Sequence, residues 1–214
     1  MLEKLTWYKQ SAFRWRDERL VLYIDPWGLK GDLPPADLVL ITHAHGDHYS
    51  PDDIKRVSAE KTVLVAPADV AKKLSGNVKP IKPGDRMDAA GVKLEAVPAY
   101  NIAEERLEMH PQANKWVGYI FTLGSNSYYH AGDTDHLDEL SGVRADVAFL
   151  PIGGTYTMDP GEAAGLAKAI APQIAVPMHY GFVVGSPSDA ERFAKEADPV
   201  RVEALTPTNP FEQS

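Results

Sequence analysis

Short apolar or alternating segments recur along the whole chain. Residues 12–16 alternate, 20–24 are almost continuously apolar, and 39–42, 63–66, 92–97, 117–123, 147–150 and 174–178 have the length and β-branched or aromatic content of strands. Between some of them stands one repeated helix-start signal. Ser50-Pro51-Asp52-Asp53, Asp159-Pro160-Gly161-Glu162 and Ser186-Pro187-Ser188-Asp189 each offer a capping side chain, then proline, then a carboxylate at the third helical position. After Pro160, the residues Ala163, Leu166, Ala167 and Ile170 share one face, which predicts a helix lying on a sheet. Strands and helices interleave without a linker or low-complexity stretch, so the pattern reads as one α/β domain over residues 1–214.

Composition narrows this picture. A chain of 214 residues can bury on the order of 70% of its unfolded surface in an ordinary core. It has seven histidines and no cysteine, so disulfides and thiolate metal sites are excluded, and any transition metal must be held by imidazole and carboxylate. The first ten residues are mixed polar and aromatic and do not read as a signal peptide, and no apolar run approaches the roughly 20 residues of a bilayer span. The expectation is a cytoplasmic protein without membrane partners. With 22 Lys+Arg against 30 Asp+Glu, the net charge of −8 disfavours nucleic acid and favours a small-molecule substrate.

The chemistry concentrates directly after the strand at 39–42, in Thr42-His43-Ala44-His45-Gly46-Asp47-His48. Four groups able to bind a metal fall within six positions. If strand geometry continued through His43 and His45, their side chains would share one side, and Gly46 would let the chain turn and present Asp47 and His48 in other directions. One short loop could then serve two neighbouring ions.

This His-x-His-x-Asp-His run resembles the metallo-β-lactamase superfamily. The resemblance continues in Thr6-Trp7-Tyr8-Lys9-Gln10-Ser11-Ala12-Phe13 with Tyr23-Ile24-Asp25-Pro26, in Tyr129-His130-Ala131-Gly132-Asp133-Thr134 and in Pro177-Met178-His179-Tyr180. These are similar to motifs of its small single-domain metal-dependent hydrolases, related to ascorbate-6-phosphate lactonases. The resemblance implies a four-layer αβ/βα sandwich with a metal groove at one edge. It implies His43 and His45 as ligands of a first metal, Asp47, His48 and His179 of a second, and Asp133 bridging both. Two divalent ions (Zn, Mn or Fe) about 3.5–4 Å apart would share a hydroxide, because metal binding lowers the pKa of water from 15.7 toward about 7. Asp47 and Asp133 are the expected catalytic carboxylates, Asp47 orienting the hydroxide or taking its proton.

One position departs from the superfamily pattern. Asn101, in Val97-Pro98-Ala99-Tyr100-Asn101, stands where a histidine usually completes the first site. Three outcomes are open: Asn101 ligates through its neutral carbonyl oxygen, His110 reaches in from the Met109-His110-Pro111 turn, or the first site is weak. His136, three residues beyond Asp133, is a candidate for substrate contact, for a proton donor or for a helix-start residue, and His130 a candidate for a group backing the ligands or, more simply, for a half-buried residue of the sheet. Tyr156 and Tyr180 are candidate groove-wall residues. The reading is a metal-dependent hydrolase whose metal-bridging hydroxide attacks a small ester, lactone or phosphodiester. The alternative is a metal-binding or ligand-sensing protein that keeps the fold without turnover.

Overall fold

The computed structural model describes residues 1–212. Two six-stranded sheets face each other. The first holds β1 (Leu5–Lys9), β2 (Ala12–Arg16), β3 (Val21–Ile24), β4 (Leu38–Leu40), β5 (Val63–Pro67) and β6 (Asn77–Ile81) in sequence order, antiparallel as far as β3 and parallel from β3 to β6. The second has the order β12-β11-β10-β9-β8-β7. There β7 (Arg86–Ala89), β8 (Val92–Pro98), β9 (Val117–Leu123) and β10 (Asn126–His130) run antiparallel, and β10, β11 (Val147–Pro151) and β12 (Ile174–Met178) parallel.

Strand alternation sorts the side chains into layers. Leu22, Ile24, Leu38, Leu40, Val63 and Val65 point between the sheets, whereas Tyr23, Val39, Ile41, Leu64 and Ala66 point outward under α1 (Pro51–Val57) and α2 (Ala68–Ala71), meeting Ile54, Val57 and Val70. Phe13 of β2 meets Phe149 of β11 across the interior with ring centroids 4.8 Å apart. Burying each such ring stabilises the sandwich by roughly 1.5–3 kcal/mol. Outside the second sheet lies α3 (Pro160–Ile170), with Ala163, Leu166, Ala167 and Ile170 all buried, and α4 (Asp189–Glu196) packs on α3. The architecture is the expected four-layer αβ/βα sandwich.

Two of the three helix-start signals act as the sequence predicts. Ser50 accepts a bond from Asp53 N, and Asp159 and Glu162 form a reciprocal capping box. The third is displaced by two residues. Ser186 N donates to Asp189 Oδ2 (2.7 Å), so Ser186 and Pro187 form a turn ahead of α4, which begins at Asp189. The edge strands β6 and β7 escape the pattern because almost nothing on them is buried apart from Ile81 and Ala89. Pro80 is tolerated on β6 because an edge strand leaves one side unpaired.

This topology positions the site. The C-terminal ends of β1, β3 and β4 in the first sheet and of β8, β10 and β12 in the second lie at one edge of the sandwich. Backbone bonds join the sheets there: Val117 N donates to Thr42 O (3.2 Å) and His179 N to Gln10 O (3.1 Å). Tyr119 Oη donates to Ile41 O at 2.8 Å, closing the floor beneath. The segment 99–116 between β8 and β9 arches over this edge through short 3-10 turns at Glu104–Arg106 and Gln112–Asn114.

Candidate metal centre

The strand β4 ends at Leu40, earlier than the pattern suggests, so His43 and His45 are placed by the turn that follows rather than by strand alternation. They nevertheless meet: His43 Nε2 lies 3.1 Å from His45 Nδ1. His110 joins them, and one ligand atom from each of His43, His45 and His110 falls within 4.8 Å of the others. Two further groups share that criterion, His43, His48 and Asp133, and Asp47, His48 and His179. At the centre is Asp133 Oδ2, 3.0 Å from His179 Nε2, 3.3 Å from both His48 Nε2 and His110 Nε2, and 3.8 Å from His43 Nε2. Asp47 Oδ2 is 3.5 Å from His179 Nε2 and 3.6 Å from His48 Nε2. All six residues expected as ligands therefore converge, and His110 makes a seventh.

The outward-facing ring atoms explain why the inner ones point at one another. Asp25, fully buried at the end of β3, accepts His48 Nδ1–H on Oδ2 (2.7 Å), Thr42 Oγ1–H on the same oxygen (2.7 Å) and Thr42 N–H on Oδ1 (2.8 Å). Thr42 Oγ1 also lies 3.0 Å from His43 Nδ1, where it serves as acceptor because its proton goes to Asp25. Both His48 and His43 are thus fixed with Nε2 turned inward, a carboxylate setting the tautomer of a ring that can bind metal.

Asn101 plays the equivalent part for His110. Its Nδ2 donates to Asp135 Oδ1 (2.9 Å) and to Tyr156 O (3.2 Å), which leaves Oδ1 to accept His110 Nδ1–H at 2.7 Å. Asp135 is anchored in turn by Arg106 Nε (2.6 Å) and by the backbone N–H groups of Ile102 (2.7 Å) and Ala103 (2.9 Å), and Arg106 grips both oxygens of Glu162 at 2.8 Å. Of the three outcomes open for the first site, the geometry is that of His110 reaching in, with Asn101 holding it.

The chemistry of the donor set fits metal ions. His48 Nε2, His110 Nε2 and Asp133 Oδ1 are buried without a hydrogen-bond partner among the described residues; such atoms are costly unless something else pairs them. Charges are distributed unevenly across the cluster. Burial disfavours the cation at His48 and His179, but Asp133 and Asp47 outweigh it, placing His48 well above the usual imidazole range and pushing His179 up to about 9. Burial likewise opposes ionisation of Asp133 and Asp47, yet the neighbouring His179 and His48 charges hold both carboxyls below their ordinary value. Burial keeps His43 and His45 neutral, reinforced at His43 by His48 and at His45 by His110. One side of the cluster presents neutral imidazoles, the other carboxylates with imidazoles whose extra protons a divalent cation can displace.

Backbone strain is concentrated here as well. Gln10, Asp25 and His179, three of the six non-glycine residues with left-handed φ among the described residues, all lie at this edge, at φ +46°, +46° and +58°. Gly132 (φ +64°) lets the Asp133 loop pass Thr42, since an added Cβ would stand 3.1 Å from Thr42 Cβ. Gln10 also donates from Nε2 to Asp47 Oδ2 at 3.3 Å.

The other candidates fall outside the cluster. The His136 ring lies over Gly165 of α3, where an added Cβ would be 3.2 Å from Nδ1, and it joins none of the ligand groups. His130 is buried against Phe13 and Phe149 and bonds to Ser11 O at 3.0 Å. Tyr180 stacks on Trp7. Tyr156 does line the site: with His45, Gly46, Asp47, Met109, His110, Asp133, His179 and Val183 it bounds a cavity of about 430 Å³ above the ligand atoms. Sequence reasoning gave no role to Trp116, whose ring backs His43 and His45 at centroid distances of 4.9 and 5.0 Å.

Residues 4–179 match the family described as the beta-lactamase superfamily domain. The UPF0173 metal-dependent hydrolase of Methanopyrus kandleri is 32% identical over 232 residues, covering 98% of this chain and all of that one. A UPF0173 metal-dependent hydrolase of Methanoculleus marisnigri is also 32% identical, over 98% of this chain and 96% of its own. Among solved structures, a protein of Parabacteroides distasonis superimposes with TM-score 0.85 at 32% identity, over 95% of this chain and 93% of that one. The metallo hydrolase Igni18 of Ignicoccus hospitalis gives 0.75 at 26% identity, over 96% and 95%. With its seven convergent histidine and aspartate side chains in this sandwich, the chain belongs to the beta-lactamase superfamily and is one of its metal-dependent hydrolases.

Proposed function

We propose that the chain holds two divalent ions, of zinc, manganese or iron, and hydrolyses a small ester, lactone or phosphodiester. His43, His45 and His110 would hold one ion and Asp47, His48 and His179 the other, with Asp133 between them. The observation that carries this reading is the inward convergence of buried, unpartnered donor atoms on Asp133 at the floor of a cavity open to small molecules. When bound, such ions supply Lewis acidity and lower the pKa of water into the neutral range.

The chain's own residues supply orientation and proton handling. Asp133, 3% exposed, and Asp47, whose side chain is 21% exposed, are both ionised at neutral pH. Asp47 faces the cavity, with Gln10 Nε2 bonded to Oδ2, so it can orient an attacking water and accept its proton. Asp25 and Asn101 keep His48 and His110 from rotating, and Tyr156 walls the cavity mouth. The ligand-sensing alternative draws its support from Asn101 in a histidine's place, and an imidazole from His110 beside His43 and His45 supports the hydrolase reading over it. Metal analysis of the purified protein is expected to give two ions per chain. Hydrolysis of bis(p-nitrophenyl) phosphate, p-nitrophenyl esters or simple lactones is expected to be lost in Asp133→Ala; equal rates in the two proteins would sink the proposal.

A further inference from the structure

The cavity over the ligand cluster has an unusual wall for a site facing carboxylates and metal. The structure exposes four large apolar side chains among the described residues, Ile102, Leu107, Met109 and Val183. Single exposed apolar residues are ordinary, but two of these four, Met109 (41% exposed) and Val183 (44%), line this one cavity. They come from separate connections of the second sheet, Met109 from the arch between β8 and β9 and Val183 from the segment after β12, so the fold brings both to one cavity.

Lysine and arginine do not contribute to the same wall among the described residues. Arg106, on the same arch, is turned away and bound to Asp135 and Glu162. Lys9, from the β1–β2 hairpin, is paired with Glu212. Lys115 lines a separate cavity with Trp116, Tyr100 and Lys82. Sites that recognise phosphoryl groups commonly present arginine or lysine to the non-bridging oxygens. Here the only side chains the cavity presents away from the ligand cluster are the Met109 thioether, the Val183 isopropyl group and the Tyr156 ring, among the described residues.

Resting on the hydrolase reading above, we infer that the substrate is an acyl ester or alkyl-substituted lactone whose uncharged aliphatic chain lies on Met109 and Val183, and that it is not a phosphodiester. The reaction is then acyl–oxygen cleavage. The oxygen of water bonds to the acyl carbon, and the acyl C–O bond breaks with its electron pair going to the alcohol oxygen. One proton of water ends on that alcohol and the other in solvent, leaving a carboxylate product.

The test uses the full chain loaded with zinc or manganese. The p-nitrophenyl esters from acetate to octanoate and bis(p-nitrophenyl) phosphate are assayed, and acetate and octanoate binding is measured by calorimetry. The expected kcat/KM rises by about two- to fourfold per methylene, the upper figure corresponding to full burial of each CH₂. Met109→Ser and Val183→Ser, both at half-exposed positions that the fold tolerates, are expected to lower the octanoate-to-acetate ratio by about tenfold, from the loss of one to two methylene contacts. A flat or falling series, a ratio unchanged in both variants, or preferential cleavage of the phosphodiester would overturn the inference. Octanoate binding tighter than acetate and weakened by Met109→Ser, with none of these substrates turned over, would support the apolar seat and overturn the hydrolase reading instead.

Discussion

Replacing Asn101 with alanine removes one acceptor and two donors from a buried network while leaving every proposed ligand in place. His110 is 1% exposed and Asn101 3%, so no solvent replaces the lost 2.7 Å bond to His110 Nδ1. An unsatisfied buried N–H costs about 1–3 kcal/mol. Asp135 keeps three of its four donors, from Arg106, Ile102 and Ala103, so the arch is expected to remain folded with the melting temperature lowered by several degrees. The larger effect is on the metal. Freed from its acceptor, the His110 ring can rotate or change tautomer, and loss of such a supporting group typically weakens metal affinity 10- to 100-fold, about 1.4–2.7 kcal/mol. Only the His43, His45 and His110 group depends on this contact, because His48 is held separately by Asp25. Titration with a competing chelator is therefore expected to show one weakened ion and one of ordinary affinity, and His110→Ala should weaken the same ion further. Two ions bound as tightly as in the unaltered chain would refute the argument. So would a greater loss from Asn101→Ala than from His110→Ala, which would make Asn101 itself the ligand.

Two further outcomes follow from the same geometry. Asp25→Asn cannot satisfy three donors at once, because an amide nitrogen facing either Thr42 N–H or the His48 and Thr42 Oγ1 protons opposes donor to donor; a loss of about 3 kcal/mol in urea unfolding, with weaker binding at the His48 ion, is expected, and unchanged stability would contradict it. Metal affinity should climb with pH. His179, pushed up to about 9, and His48, held well above the usual imidazole range, must each give up a proton to bind the same cation, so its apparent affinity is expected to rise at least tenfold per unit between pH 7 and 9, and chelator competition at pH 7, 8 and 9 giving a flat profile would remove the assigned charge state.

What could be read without coordinates depended on how local each contact is. His43, His45, Asp47 and His48 are legible because one short run carries them all, and the resemblance supplied Asp133 and His179 by motif. His110 stayed one of three options because its position depends on the path of the arch, which Asp135 and Arg106 set from residues distant in sequence. Asp25 could be quoted as part of an Asp-Pro motif, but its bond to His48 needs the parallel pairing of β3 with β4. The outer helix face on α3 was legible from spacing alone, whereas the start of α4 was not, since the Ser186-Pro187-Ser188-Asp189 signature serves equally for a turn. His136 illustrates the limit of proximity in sequence: three residues beyond Asp133, it leans on α3.

The donors at this edge come from both halves of the sandwich, His43, His45, Asp47 and His48 from one sheet's connections and His110, Asp133 and His179 from the other's. An ion shared among them would be a cross-link between segments far apart in the chain, doing for a protein with no cysteine what a disulfide does elsewhere. Such a link is indifferent to glutathione and answers to the supply of metal. A chelator, not a reductant, is then the agent expected to loosen this seam, leaving the backbone bonds from Val117 to Thr42 and from His179 to Gln10 to hold it, and limited proteolysis of the chelated protein is expected to cut first in the arch or the loop after β4.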